Sequence, residues 1–316
     1  MPTGSLQNAE DLLKAAKKAS KKSWFSNPEW EIAGQYYEKA GENQRAFDSF
    51  VQSAEAYNKV SLIYFSAKSH ESAGKIAEKK LSDYKAASEH YQMASDLYLA
   101  TGNMPDRAAE LMNDAGRVTA SFDVERAVQL YLNSLSIYET ENRGRFGINS
   151  FKSITGFLAK NKKYDTAVEV MMRLAKQCIK LNNKQELNRT YLTVIILLLA
   201  KNDDIEAFKQ LDQFSQDMSF LKSQEYEAAD GALKAYKDFD QGMLDEALKN
   251  SVFYELNSEI QNTVYSLTVP GFSRNVLGVD SNDFRKSITT KIQKEHDENV
   301  KEGNDQTDYT NDDMLL

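Results

Sequence analysis

At 316 residues, with 41% hydrophobic and 27% charged side chains, the chain is long enough to bury a large interior. Its one cysteine, Cys178, excludes an intrachain disulfide framework and a cysteine-based zinc site, in keeping with a reducing compartment. The net charge of −8 is uneven, because residues 295–316 hold eight acids and one base, a net −7, leaving about −1 for the rest.

In chain order, residues 6–22 read as a first amphipathic helix that carries Lys14, Lys17, Lys18, Lys21 and Lys22. The stretch from Ser23 to Asn27 breaks it, and a second helix runs from Glu29 to Lys39 and stops at Gly41. Two bulky aromatics, Trp24 and Phe25, stand in that break directly after the lysines. Adjacent large apolar residues in a turn dock on something. They could rest on a membrane surface beside Lys21 and Lys22, or fold back between the first two helices as a hydrophobic staple.

A long-period repeat follows. Ala46, Ala87, Ala127, Ala167, Ala207 and Ala247 are separated by steps of 41, 40, 40, 40 and 40. Each opens a set at +4, +7 and +11, such as Ala87/Tyr91/Ala94/Tyr98 and Ala127/Tyr131/Ser134/Tyr138. Those offsets share one face of a helix. The spacing predicts helices beginning near 43, 83, 123, 163, 203 and 243. Partner helices fall between them at about 60–80, 104–119, 144–160, 184–200 and 223–238. The expected fold is all-α: a right-handed helical-repeat solenoid of tetratricopeptide-like helix pairs with a period of about 40 residues. The solenoid spans 1–240, a C-terminal helical bundle and extension spans 241–294, and an acidic tail spans 295–316. The tail composition cannot bury enough surface to fold alone.

The longest apolar run, Val194 to Ala200, is too short to cross a bilayer and reads as a buried core helix. Cys178 falls on the repeat seam and reads as a small buried residue. His70, His90 and His296 show no metal-ligand spacing, and no phosphate-cradling loop or nucleophile elbow occurs. The chain is therefore expected to be neither an enzyme nor dependent on a cofactor or metal. Nucleic acid binding is not expected either, since no reader motif accompanies the lysines.

Three segments resemble the soluble NSF attachment protein (SNAP) family, in particular its gamma branch. These are Gly102-Asn103-Met104-Pro105-Asp106-Arg107-Ala108-Ala109, Glu125-Arg126-Ala127-Val128-Gln129-Leu130-Tyr131 and Ser266-Leu267-Thr268-Val269-Pro270-Gly271. The resemblance runs from about residue 6 to 272, while the tail matches only in character. It implies a non-enzymatic adaptor, monomeric when free, of which several copies coat an assembled four-helix SNARE bundle of syntaxin type and recruit the hexameric ATPase NSF. It also implies a cytoplasmic protein held peripherally on vesicle and target membranes. The resemblance assigns Lys21, Lys22, Trp24 and Phe25 to membrane contact. It assigns Asp312, Asp313, Leu315 and Leu316 to NSF, with two terminal leucines where relatives often have one. Arg107, Arg145, Lys152 and Arg189, on helices that alternate with the seam, are the candidates for an acidic SNARE bundle. A different helical-repeat adaptor that grips a chaperone tail is the alternative, against which the forty-residue step counts.

Overall fold

The computed structural model describes residues 3–19, 21, 29–39 and 41–272. Among these, fifteen α-helices and two short helical segments are present and no strand occurs. The chain divides into two compact units between Phe151 and Lys152.

The first unit contains α1 (Thr3–Ala19), α2 (Trp30–Lys39), α3 (Asn43–Lys59), α4 (Ile63–Ile76), α5 (Tyr84–Ala100), α6 (Pro105–Thr119), α7 (Val124–Thr140) and the start of α8 (Gly144–Lys160). From α1 to α7 consecutive helices pack on one another. Short turns make consecutive helices antiparallel. Several turns share one construction, a left-handed residue (Gly41, Ser61 or Asn142) followed by an amide that donates to the carbonyl five residues back. Asn142 has φ 54°, and the next amide, Arg143 N–H, donates to Tyr138 O at 2.7 Å. Many helices then begin on a side-chain cap: Asp83 accepts from Ala86 N–H at 3.0 Å and Asp123 from Arg126 N–H at 2.9 Å.

The seam positions explain why the helices approach closely. The aromatic at +4 lies on a glycine of the preceding helix, as Phe50 does on Gly34, Tyr91 on Gly74 and Tyr131 on Gly116. A β-carbon at Gly74 would come within 2.7 Å of the Tyr91 ring, and one at Gly116 within 2.8 Å of Tyr131. At +7 the small residues Ser53, Ala94 and Ser134 are buried, and Ser134 donates to Ala109 O at 2.8 Å. Side chains thus satisfy the polar groups that close helix contact would strand. A π-helical segment, Ala77–Leu81, prolongs α4. It lies between Ala46 and Ala87, and its wider turn takes up the extra residue of the one 41-residue step.

The second unit contains the rest of α8, α9 (Tyr164–Lys180), α10 (Lys184–Ala200), α11 (Asp204–Phe214), α12 (Met218–Leu221), α13 (Gln224–Asp238), α14 (Gln241–Ala247), a 3₁₀ segment (Ser251–Glu255) and α15 (Ser258–Ser266). Its centre is α10, buried without interruption from Thr190 to Leu199 and packed against α9, α11, α12, α13 and α15. Cys178 is buried on α9 as expected, and burial pushes its thiol up to about 11. No described helix is long and apolar enough to cross a membrane.

Two seam sets do not remain on one helix. The fifth ends at Phe214, and Met218 begins α12 with 57% of its surface exposed. The sixth is divided among α14, the 3₁₀ segment and α15. The physical reason is local capping. The side chains of Asp217, Asn250 and Asn257 accept from Ser219, Val252 and Glu259 N–H at 2.8, 3.1 and 2.9 Å, and each starts a new element.

Candidate partner-binding surfaces

Four sequence-derived basic candidates lie on the even-numbered helices: Arg107 on α6, Arg145 and Lys152 on α8, and Arg189 on α10. Their surroundings divide them. In the first unit Arg107 is clamped by acids, its Nη2 reaching Glu71 Oε1 at 2.6 Å, its Nε reaching Glu71 Oε2 at 3.3 Å and its Nη1 reaching Glu110 at 2.5 Å. Hydrogen bonding to Glu71 raises the already high basicity of Arg107. On Glu71 burial pushes the carboxyl upward, but hydrogen bonds from Arg107 and Lys75 outweigh it and hold the group below the ordinary carboxylate range.

This clamp is one rung of a ladder. Lys68 meets Glu31 at 3.3 Å, Arg117 meets Glu78 at 2.7 Å and Arg143 meets Asp106 at 2.5 Å. In every rung, Arg107–Glu71 included, the base follows its acid by 36 to 39 residues, about one repeat. Seam tyrosines join in. Tyr57 donates to Glu31 at 2.9 Å, Tyr98 to Glu71 at 3.1 Å and Tyr91 to Glu78 at 2.7 Å. Each of those three acids thereby ties a seam helix to an even helix one repeat on. A sequence search for acids and bases about 37 residues apart would have found this ladder; reading charges one helix at a time does not.

Arg145 differs. It is exposed and forms no ion pair among the described residues. Phe146 beside it is 61% exposed, with the Arg143 guanidinium 4.9 Å from its ring centre. That places a free cation, an apolar ring and a cation–π pair together at the start of α8.

In the second unit the structure brings Lys152 and Arg189 together. Both line a cavity of about 20 Å³ with Thr155, Glu186 and Asn257. Lys152 Nζ contacts Glu186 at 3.2 Å, and Arg189 pairs with Glu255. Arg189 Nε and Asn188 Oδ1 are buried without a hydrogen-bond partner, and the cavity has room for about one water. These two cations are therefore neutralised within the fold.

Of the expected membrane-contact residues, Lys21 is exposed in a bend after α1, while Lys22, Trp24 and Phe25 lie outside the described residues. So do Asp312, Asp313, Leu315 and Leu316. Two histidines twenty residues apart in the sequence are in contact. His70 and His90 stack at 5.1 Å with their Nδ1 atoms 3.0 Å apart, and Phe47 packs edge-on against His90. Burial, then the neighbouring ring, pushes His70 down to about 4, and burial also lowers His90. Among the described residues no group of three or more His, Cys, Asp or Glu side chains could hold a metal ion.

Stacked antiparallel helix pairs with a forty-residue seam, charged rungs and a free basic-aromatic corner define an α-helical repeat protein whose chemistry is presented on surfaces. The family model described as "Soluble NSF attachment protein, SNAP" matches residues 7–255. The chain belongs to the SNAP family. It is similar to a protein from Dictyostelium discoideum described as gamma-soluble NSF attachment protein, at 26% identity over 274 residues, 84% of each chain. A protein from Arabidopsis thaliana with the same description is 28% identical over 219 residues, covering 67% of this chain and 75% of that one.

Proposed function

We propose that this chain is an adaptor that binds assembled SNARE four-helix bundles, recruits NSF and stimulates its ATPase for bundle disassembly in vesicle fusion and intracellular transport. The observation that carries the reading is the family match over residues 7–255. The chain turns over no nucleotide itself, acts from the cytoplasm at the membrane surface, and works in several copies per bundle. Lys21, Lys22, Trp24 and Phe25 touch the membrane. Asp312, Asp313, Leu315 and Leu316 engage NSF.

On the SNARE side the uncompensated charge of Arg145 supports it as the principal basic contact. Arg107, Lys152 and Arg189 already hold acid partners, so they shape the surface more than they attract the bundle. Charge of this kind speeds and orients encounter. Arg145→Glu should weaken capture of an assembled SNARE bundle by about threefold to tenfold at low salt, and by less near physiological salt. The check is a pull-down at two ionic strengths; unchanged capture at both removes Arg145 from the interface.

A further inference from the structure

We propose that the α3–α4 turn, built around Val60 and Leu62, is a second lipid-inserting element beside the α1–α2 turn, and that its ligand is an anionic phospholipid bilayer. The inference rests on the membrane-contact reading given above and extends it to residues which that reading does not include.

The placement follows from the stacking. Consecutive antiparallel helices put the end of α1, the start of α2 and the α3–α4 turn on one edge of the first unit. Two bonds hold the start of α2 beside α3 and α4. Glu31, at the start of α2, accepts from Tyr57 at 2.9 Å and from Lys68 at 3.3 Å, residues that flank the α3–α4 turn. At the turn itself Ser61 takes a left-handed φ of 58°, which holds Val60 and Leu62 on either side of the tip. Val60 is 64% exposed and Leu62 45%, and Tyr64 and Phe65 continue the patch at 45% and 41%. A protruding apolar tip suits insertion between headgroups better than capture of a peptide in a groove.

The local chemistry points the same way. Leu62 occupies the N-cap of α4 and makes no side-chain cap bond, as Glu42, Met104 and Lys163 make none before α3, α6 and α9, whereas Asp83, Asp123, Asn183 and Asp203 cap α5, α7, α10 and α11. A leucine at that position forgoes helix stability, and its exposure shows that it gains no core contact in return. Lysines share this edge. The last turn of α1 carries Lys17 and Lys18, Lys21 follows in an exposed bend, and α3 ends in exposed Lys59. The acids at this edge include Glu29, Glu31 and exposed Glu55, and Glu31 is already matched by Lys68. In the corresponding α5–α6 turn, Thr101-Gly102-Asn103-Met104, the apolar side chain of Met104 packs against the core, and there is no lysine.

The test is vesicle flotation of the full chain, with phosphatidylcholine vesicles carrying about 30% phosphatidylserine or none. Val60→Ser/Leu62→Asn should lower partition onto the anionic vesicles about tenfold. Asparagine also restores a cap, so thermal stability should hold or rise; a merely structural Leu62 would instead lose stability and keep vesicle binding. In parallel, Leu62→Cys and Phe25→Cys each carry an environment-sensitive fluorophore, Cys178 being buried and unreactive. Blue shifts at both positions on anionic vesicles support the proposal. A shift at position 25 alone overturns it and leaves the original membrane reading intact, whereas no shift at either overturns both. A shift at 62 produced by a SNARE bundle without vesicles would make the tip a protein-docking site and would equally overturn it.

Discussion

The contact of one ring with one missing β-carbon sets much of the spacing in the first unit. Because Gly116 leaves room for Tyr131, and Gly74 for Tyr91, Gly116→Ala should destabilise the protein by about 1–3 kcal/mol, since the added methyl must displace a buried ring. Thermal unfolding measures this, and an unchanged melting temperature would mean that the ring moves freely. The histidine pair gives a pH dependence with a definite sign. Folded His70 is pushed down to about 4, so the unfolded chain binds the proton more readily. The neutral pair's contribution is fully present above the ordinary histidine pKa near 6.5 and is lost as pH falls from there toward 4. Glu89 beside His90 offsets this only in part. Stability should drop by about 1 kcal/mol between pH 7 and pH 5, a figure that allows for partial exposure of both rings. His70→Gln should flatten that profile in denaturant titrations at the two pH values. Neither histidine announced this in the sequence: positions twenty apart on different helices meet only when α4 and α5 pack.

At the scale of the helix, the extents were legible to within a few residues. Seam alanines and tyrosines carry a 3.6-residue period, and turn residues such as Asn142, Asn182 and Asn202 tolerate the left-handed conformation they adopt. The failures occur where local capping competes with the periodicity. The fifth seam helix stops at Phe214 and Asp217 caps a new helix at Met218, although the spacing alone continues through it. The charged rungs escape a helix-by-helix reading for a different reason: an acid and a base a whole repeat apart look like ordinary solvated charges unless the repeat spacing is searched. The ladder separates two roles that the sequence had merged. Arg107→Ala, which strands the buried side of Glu71, should cost about 2 kcal/mol of stability, whereas Arg145→Ala should cost almost none. Equal losses in chemical denaturation would show that Arg145 has a structural partner.

For the whole molecule, the forty-residue repeat and three short segments were enough to place the chain in its family, because a repeat protein writes its architecture many times over. Its contacts are less legible, since they depend on how charges are shared between repeats and on segments at either end of the chain. What unites these features is an adaptor: a scaffold whose internal charges are matched, with a free basic corner at Arg145 and an apolar-basic edge at Val60 and Leu62. The most direct test is the ATPase activity of NSF on an assembled SNARE bundle, with the intact chain and with one lacking Leu315 and Leu316. Stimulation by the intact chain and its loss on truncation is the expected result. A well-folded intact chain that neither binds the bundle nor raises NSF turnover would contradict the adaptor reading.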